Sequence, residues 1–334
     1  MRSRAPGTAF CSRRRESPKS TLRAAESGCY GTAVRRLILG AMIALYIGFG
    51  LLGVIFLAPN TFVGADHATY QRAADALWQQ GNPYIGSAGL GYNFQYRYPP
   101  LLAELWPVLG WPPLWWTLLG LGTAITFYFW YTDAGWLGLL PIIMLAGAWG
   151  QPLINGNVQA IMMALLVIVP RYERAGAVAL AGATMLKLHP ALGVVWYAGR
   201  RDWRGLAWYA AAIGVFLIVQ APWLGQFVTY YLTNPDASPT AYEGWGIRLF
   251  GDIPWLVVTA ILAILSYRYA SSRIGWLTNL IFQLEALPRL LPTNLALLLS
   301  APLRSRSSVR NARRAVDPAP ATRPLGERAK ATDV

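Results

Sequence analysis

The chain has 334 residues, of which 55% are hydrophobic and only 13% charged, about half the charged share of an ordinary soluble protein. That arithmetic excludes a single water-facing globule. The net charge of +14 does not mark a nucleic-acid interface, because it sits at the ends: residues 1–36 carry nine Lys/Arg against two Glu and 301–334 carry eight against three acids, whereas 37–300 carry twelve against ten.

Both ends are rich in Arg, Ser, Pro and Ala without hydrophobic periodicity, so 1–36 and 301–334 read as disordered basic tails that fix orientation or touch anionic lipid. Uncharged runs recur between them, at 37–59, 105–132, 134–170, 205–235 and 253–267. Several approach or exceed the roughly 20 residues that cross a bilayer core. The expected fold is therefore all-α: a polytopic integral membrane protein with about eight or nine membrane segments in 37–300, broken half-helices included. Cys11 and Cys29 both lie in the N-terminal tail, which leaves the core without a disulfide framework.

The first span, about 37–58, is too long for the apolar region of a signal peptide and lacks a clear cleavage site. It follows Arg35 and Arg36, so the N-terminus is expected in the cytoplasm of a cell-membrane, multi-pass protein, with an outer loop at 60–100. Within that loop Tyr70, Ala73, Ala74, Leu77 and Trp78 recur at three- and four-residue spacing, which predicts a short amphipathic helix stopped by Gly81. Residues 101–110 are too few to span. The segment 112–131 returns inward, with Trp111, Trp115 and Trp116 as an aromatic girdle.

The uncharged stretch 134–170 predicts a hairpin turned at QPLINGNVQ (151–159), with Arg171 and Arg174 marking the cytoplasmic return. Residues 175–199 are apolar yet end at RRDWR (200–204), so both ends look cytoplasmic. Two half-helices broken at Lys187, His189 and Pro190 satisfy this, and irregular backbone at membrane depth is tolerated only where it lines protein or a water-filled cavity. A span at 205–224, an outer loop at 225–253 holding Asp236, Glu243 and Asp252 against Arg248, and a span at 254–270 follow. The stretch 274–300, interrupted by Glu285, Pro288, Arg289 and Pro292, reads as one distorted span or none.

Few ionisable groups remain near the outer face, and each carries weight for that reason. Asp66 can take a proton from an acceptor hydroxyl if burial lifts its pKa, or it can cap the helix that follows. Spacing leaves both readings open. Asp75 falls half a turn away on an ideal helix and reads as solvated. His67 and His189 are the two histidines of the chain, and no zinc-type or glycine-rich phosphate motif accompanies them.

Lys187 and His189, in the helix break, are placed to face a phosphate across a low-dielectric cavity, or to snorkel and pack quietly. Asn155, Asn157 and Gln159 form a polar hairpin tip of the kind turns use. Tyr84, Tyr92, Tyr96, Arg97 and Tyr98 suit a sugar platform with an Arg for phosphate, or an interfacial belt.

In order, Asp66 and Tyr70 after a first span, GNPY (81–84), YPP (98–100), NGNVQ (155–159), and LKLHP followed by RRDWR (186–204) resemble the polyprenyl-phosphate-mannose-dependent mannosyltransferases of glycosyltransferase family 87, often described only as a domain of unknown function. The likeness covers roughly 37–300. It implies a C-type glycosyltransferase-like fold that moves a hexosyl group, usually mannosyl, with inversion, from a polyprenyl-phosphate donor to a lipid-linked or other glycan acceptor at the outer face.

The family's acidic residue at the head of the first outer loop is its catalytic base and matches Asp66. Lys187, Arg97 and His189 are then the candidates for the leaving phosphate, with Tyr70, Tyr98, Asn157 and Gln159 as further sugar- or phosphate-binding candidates. No cofactor or metal is implied, since a monophosphate leaves without the charge that calls for Mg²⁺. The partners are the donor, the acceptor and membrane lipids, and no nucleic acid. The end departs from the family pattern: ALLLSAPL (296–303) runs into a basic Pro/Ala-rich tail and reads as truncated or frame-shifted. A transporter or flippase of lipid-linked sugars and a truncated inactive paralogue are the competing readings.

Overall fold

The computed structural model describes residues 63–87, 95–233, 250–287 and 292–301. The chain divides into two compact units, 1–48 and 49–334. The first unit, the expected first span and both basic tails lie outside the described residues, as do Tyr92, Asp236, Glu243 and Arg248.

Every regular element among the described residues is helical. Helix α1 (Ala65–Gln80) buries Tyr70, Ala73, Ala74 and Leu77 and ends on Gly81 at φ 72, the left-handed stop that glycine adopts at no steric cost. Trp78, expected on the same face, is instead exposed. At about 100° per residue Trp78 falls past Ala74, on the side away from Ala73 and Ala76, at the edge of the packed stripe. Helix α2 (Leu101–Leu109) packs on α1, and α3 (Pro112–Ala134) follows after Trp111.

The stretch 134–170 turns where expected, but its first arm is not straight. A 3₁₀ turn (Gly135–Gly138), α4 (Leu139–Met144) and α5 (Ala146–Asn155) carry a bend of 68° before Gly156 reverses the chain into α6 (Gln159–Ile168). Helices α3 and α6 cross closely: a Cβ on Gly122 would lie 2.7 Å from the Ala160 carbonyl oxygen. Small residues at such crossings let apolar helices meet backbone to backbone.

Helix α7 (Glu173–Leu186) stops at Lys187, whose extended backbone leaves the helix; a 3₁₀ turn (His189–Gly193) and α8 (Val194–Gly199) follow. The break falls at Lys187, His189 and Pro190, as the basic flanks and the proline predict. The turn folds back on α7, since a Cβ on Gly193 would meet the Leu180 side chain at 2.7 Å. Asn279 Nδ2 donates to the Leu192 carbonyl at 3.2 Å and to Ser266 Oγ at 2.8 Å, which satisfies backbone that the break would otherwise orphan.

One expectation needs correction. The span placed at 205–224 ends as α9 (Trp203–Val219), and the chain then bends by 92° at Gln220 into α10 (Ala221–Thr233), where a loop was expected. Gln220 is fully buried and its Oε1 accepts from Leu101 N–H at 3.2 Å; a buried amide that must meet a partner on α2 pins the corner. The stretch 274–300, expected as one distorted span or none, is α12 (Gly275–Glu285) followed by a 3₁₀ coil (Pro292–Ser300). That coil is sewn inside the bundle by Trp130 Nε1 to the Leu299 carbonyl, Trp276 Nε1 to the Ser300 carbonyl and Ser300 Oγ to the Met163 carbonyl.

By length and composition α11 (Asp252–Tyr269) is long and apolar enough to cross a membrane, and up to three spans result if each bent pair, α3–α4 with α5 and α9 with α10, is counted as one. Ile253, Leu256, Val257, Ile261 and Ile264 of α11 all face outward. The buried side chains fall into two clusters. One, around Met162, Leu166, Leu180, Trp196, Leu280 and Leu297, centres on α6, α7 and α12. The other, around Tyr70, Tyr96, Trp106, Trp115 and Val158, joins α1, α2, α3 and the head of α6.

Candidate functional site

The second cluster delivers the polar groups. Helix α1 begins against the end of α5: Gly64 N–H donates to the Ile154 carbonyl at 3.1 Å, which sets Asp66 beside the turn at 155–158. Gly64 holds the N-cap position and Asp66 lies within the first turn with no capping bond from its side chain, so the capping reading of Asp66 does not hold. Its Oδ2 instead accepts from Asn157 Nδ2 at 3.1 Å. The helix N-terminus favours a negative charge there.

Asn157 is presented by a turn that depends on Gly156 at φ 78. Gly156 N–H bonds to the Leu153 carbonyl, Asn157 N–H to the Pro152 carbonyl, and Trp115 Nε1 donates to the Gly156 carbonyl at 2.9 Å. Trp115 is fully buried, so it braces this turn rather than joining an interfacial girdle; Trp111 is exposed as a girdle residue would be.

Tyr98 closes the group. Its hydroxyl accepts from Asn157 Nδ2 at 3.2 Å, and its ring lies 5.1 Å from that of Tyr70. Tyr70 is fully buried, and its hydroxyl accepts from Val158 N–H at 3.4 Å. From the other side comes the helix break: Lys187 Nζ donates to Gln159 Oε1 at 3.1 Å and stands 5.9 Å from the Tyr98 ring centroid. Burial pushes the Asp66 carboxyl above its ordinary range, while the Asn157 bond and the Lys187 charge pull it back. A carboxyl so placed is a stronger base than a solvated aspartate.

The structure thus brings together Asp66, Tyr70, Tyr98, Asn157, Gln159 and Lys187, drawn from α1, the 95–100 loop, the α5–α6 turn and the break after α7. Two buried nitrogens there have no hydrogen-bond partner, Gln159 Nε2 and His189 Nε2. Gln159 Nε2 and Lys187 Nζ are donors available to an anion, joined by His189 Nε2 in the tautomer that carries its proton there. His67 turns away, its Nε2 against the Gly110 carbonyl at 3.1 Å, and Asp75 is exposed and accepts from Gln71 on its own helix.

Arg97 does not join this group. Its Nη2 donates to Gln95 Oε1 at 3.2 Å and its carbonyl accepts from Tyr231 Oη at 2.7 Å, which places it with α10. Tyr84 and Tyr96 form neither a belt nor an open platform. Both are buried; Tyr84 Oη donates to the Tyr98 carbonyl and Tyr96 Oη to the Pro99 carbonyl, so they shape the loop that carries Tyr98. Tyr230, stacked on Tyr84 with ring centroids 4.6 Å apart, and Tyr231 extend that support from α10. Neither was signalled in sequence, because 225–253 read as loop. Among the described residues no three His, Cys, Asp or Glu cluster as a metal site. Comparison with known proteins finds no family, no curated protein and no solved structure that matches the chain.

Proposed function

We propose that the chain is a multi-pass membrane glycosyltransferase of eight or nine membrane segments that takes a hexosyl group, mannosyl in the first instance, from a polyprenyl phosphate. The observation that carries this reading is one carboxylate, Asp66, held by a neutral amide within reach of Coulombic attraction to one cation, Lys187, beside unpartnered buried donors. An apolar exterior on α11 supports the membrane setting, since exposed apolar area of this kind is costly in water and natural against lipid.

In this reaction the acceptor hydroxyl oxygen attacks the anomeric carbon and gives its proton to Asp66. The anomeric carbon–oxygen bond to phosphate breaks, and the polyprenyl phosphate leaves with the bonding electrons, facing Lys187, Gln159 and His189. A single displacement inverts the anomeric centre. Asn157, itself bonded to Tyr98, fixes the carboxylate, and one cation suffices because the leaving group is a monophosphate.

The test uses membranes carrying the full chain and radiolabelled polyprenyl-phosphate mannose. Asp66→Asn is expected to reduce transfer by about 10²–10⁴-fold, the usual contribution of a general base, while retaining the donor. Unchanged product formation removes Asp66 from the mechanism. Donor movement across the bilayer without a glycosylated product would favour a flippase instead.

A further inference from the structure

We infer that Asn157 is the positioning residue of this site: its amide group fixes the Asp66 carboxylate to the Tyr98 hydroxyl in one orientation and holds that carboxylate in its charged, proton-accepting form. The inference rests on the reading of Asp66 as base, and it reassigns Asn157 from a substrate contact to a support.

The direction of the amide follows from the turn. Asn157 Oδ1 accepts from Gln159 N–H at 2.9 Å, and only the oxygen end of an amide can meet a backbone donor. Nδ2 must then point the other way, where both of its hydrogens find acceptors, Asp66 Oδ2 at 3.1 Å and Tyr98 Oη at 3.2 Å. All the side chain's donors are thereby used, and none is left to bind sugar or phosphate. The backbone beneath it is equally fixed, by Asn157 N–H to the Pro152 carbonyl at 2.8 Å and by the Trp115 bond to the Gly156 carbonyl. A donor locked at both ends keeps the carboxylate from rotating and stabilises its charge.

Other groups around Asp66 act differently. On α1, His67 is turned to Gly110, while Arg72 and Asp75 lie further along the helix. The 95–100 loop contributes Tyr98, the break contributes Lys187, and α2, packed on α1, carries Glu104. The 85–87 turn and α5 bring no ionisable side chain. Of these, Asn157 alone donates a hydrogen bond to the Asp66 carboxylate among the described residues.

Asn157→Asp separates the two ends of the amide, since it keeps the oxygen that Gln159 N–H needs and replaces the donor with an acceptor. The readout is carbodiimide addition to the protonated Asp66 carboxyl of the full chain in membranes, followed against pH by mass spectrometry of the Asp66 peptide. The labelling midpoint is expected to rise by about one pH unit or more, from the lost hydrogen bond together with the second carboxylate now beside the first. Asn157→Ser, which keeps a side-chain oxygen for Gln159 N–H, adds no charge and is too short to reach the carboxylate, should shift it in the same direction through the lost hydrogen bond alone, and carries the test should the aspartate variant fail to melt cooperatively. Midpoints that coincide with the parent's overturn the proposal. The transferase reading fails separately: a parent chain that shows the shift on substitution but yields no glycosylated product sinks that reading and leaves the positioning of Asp66 intact.

Discussion

Gly156→Ala probes whether the turn that carries Asn157 dictates the site. At φ 78 an L-residue sits in the left-handed region, which costs about 1–2 kcal/mol. The new Cβ would also lie 3.1 Å from His67 Cβ and 3.3 Å from Trp116 Cη2, closer than ordinary contact, so α1 must yield by a few tenths of an ångström and take Asp66 with it. The sum is about 2 kcal/mol of lost stability, or about 4–8 °C in melting temperature at the scale of a domain of roughly this size. The internal control is Gly120→Ala on α3, where an added Cβ meets nothing within 4 Å and a helix interior gains about 0.5–1 kcal/mol. Thermal unfolding of both variants in the same lipid nanodiscs is the assay, with sugar transfer measured alongside. A Gly156→Ala variant that melts at or above the parent's temperature would refute the account of the turn.

Two further predictions concern the charges. Lys187→Met should lower transfer efficiency by about 10–100-fold, the worth of a charge-assisted hydrogen bond, with the larger part in donor affinity as measured by retention of labelled donor. Asp66 links stability to pH. Because burial raises its folded pKa, the fold binds the proton more tightly than the unfolded chain does, and the resulting stability is full below the ordinary aspartate value of about 3.9 and lost as pH rises through the folded value. Asp66→Asn should therefore melt higher than the parent at pH 7, by a margin that closes as pH falls toward the ordinary aspartate range; melting scans across that window decide it.

Much of this is legible in the amino-acid sequence, for identifiable reasons. Gly81 and Pro190 announce the end of α1 and the break after α7 because backbone conformation at those residues is dictated by covalent structure. The NGNVQ turn is legible for the same reason. What sequence did not reveal depends on partners distant in the chain. Trp115 and Trp111 read alike as girdle residues, yet one braces the Gly156 carbonyl and the other faces outward. The corner at Gln220 carries neither glycine nor proline, and the buried amide finds its reason only in Leu101 N–H. Arg97 and Tyr98 are neighbours, but Tyr98 bonds to Asn157 whereas Arg97 is held by Gln95 and Tyr231.

The separation of Asp66 from Lys187 along the chain has a consequence for biogenesis. During synthesis the acid leaves the ribosome before the α5–α6 turn and the cation do, so the amide and the ammonium that offset its burial are both present only once the break after α7 has been made.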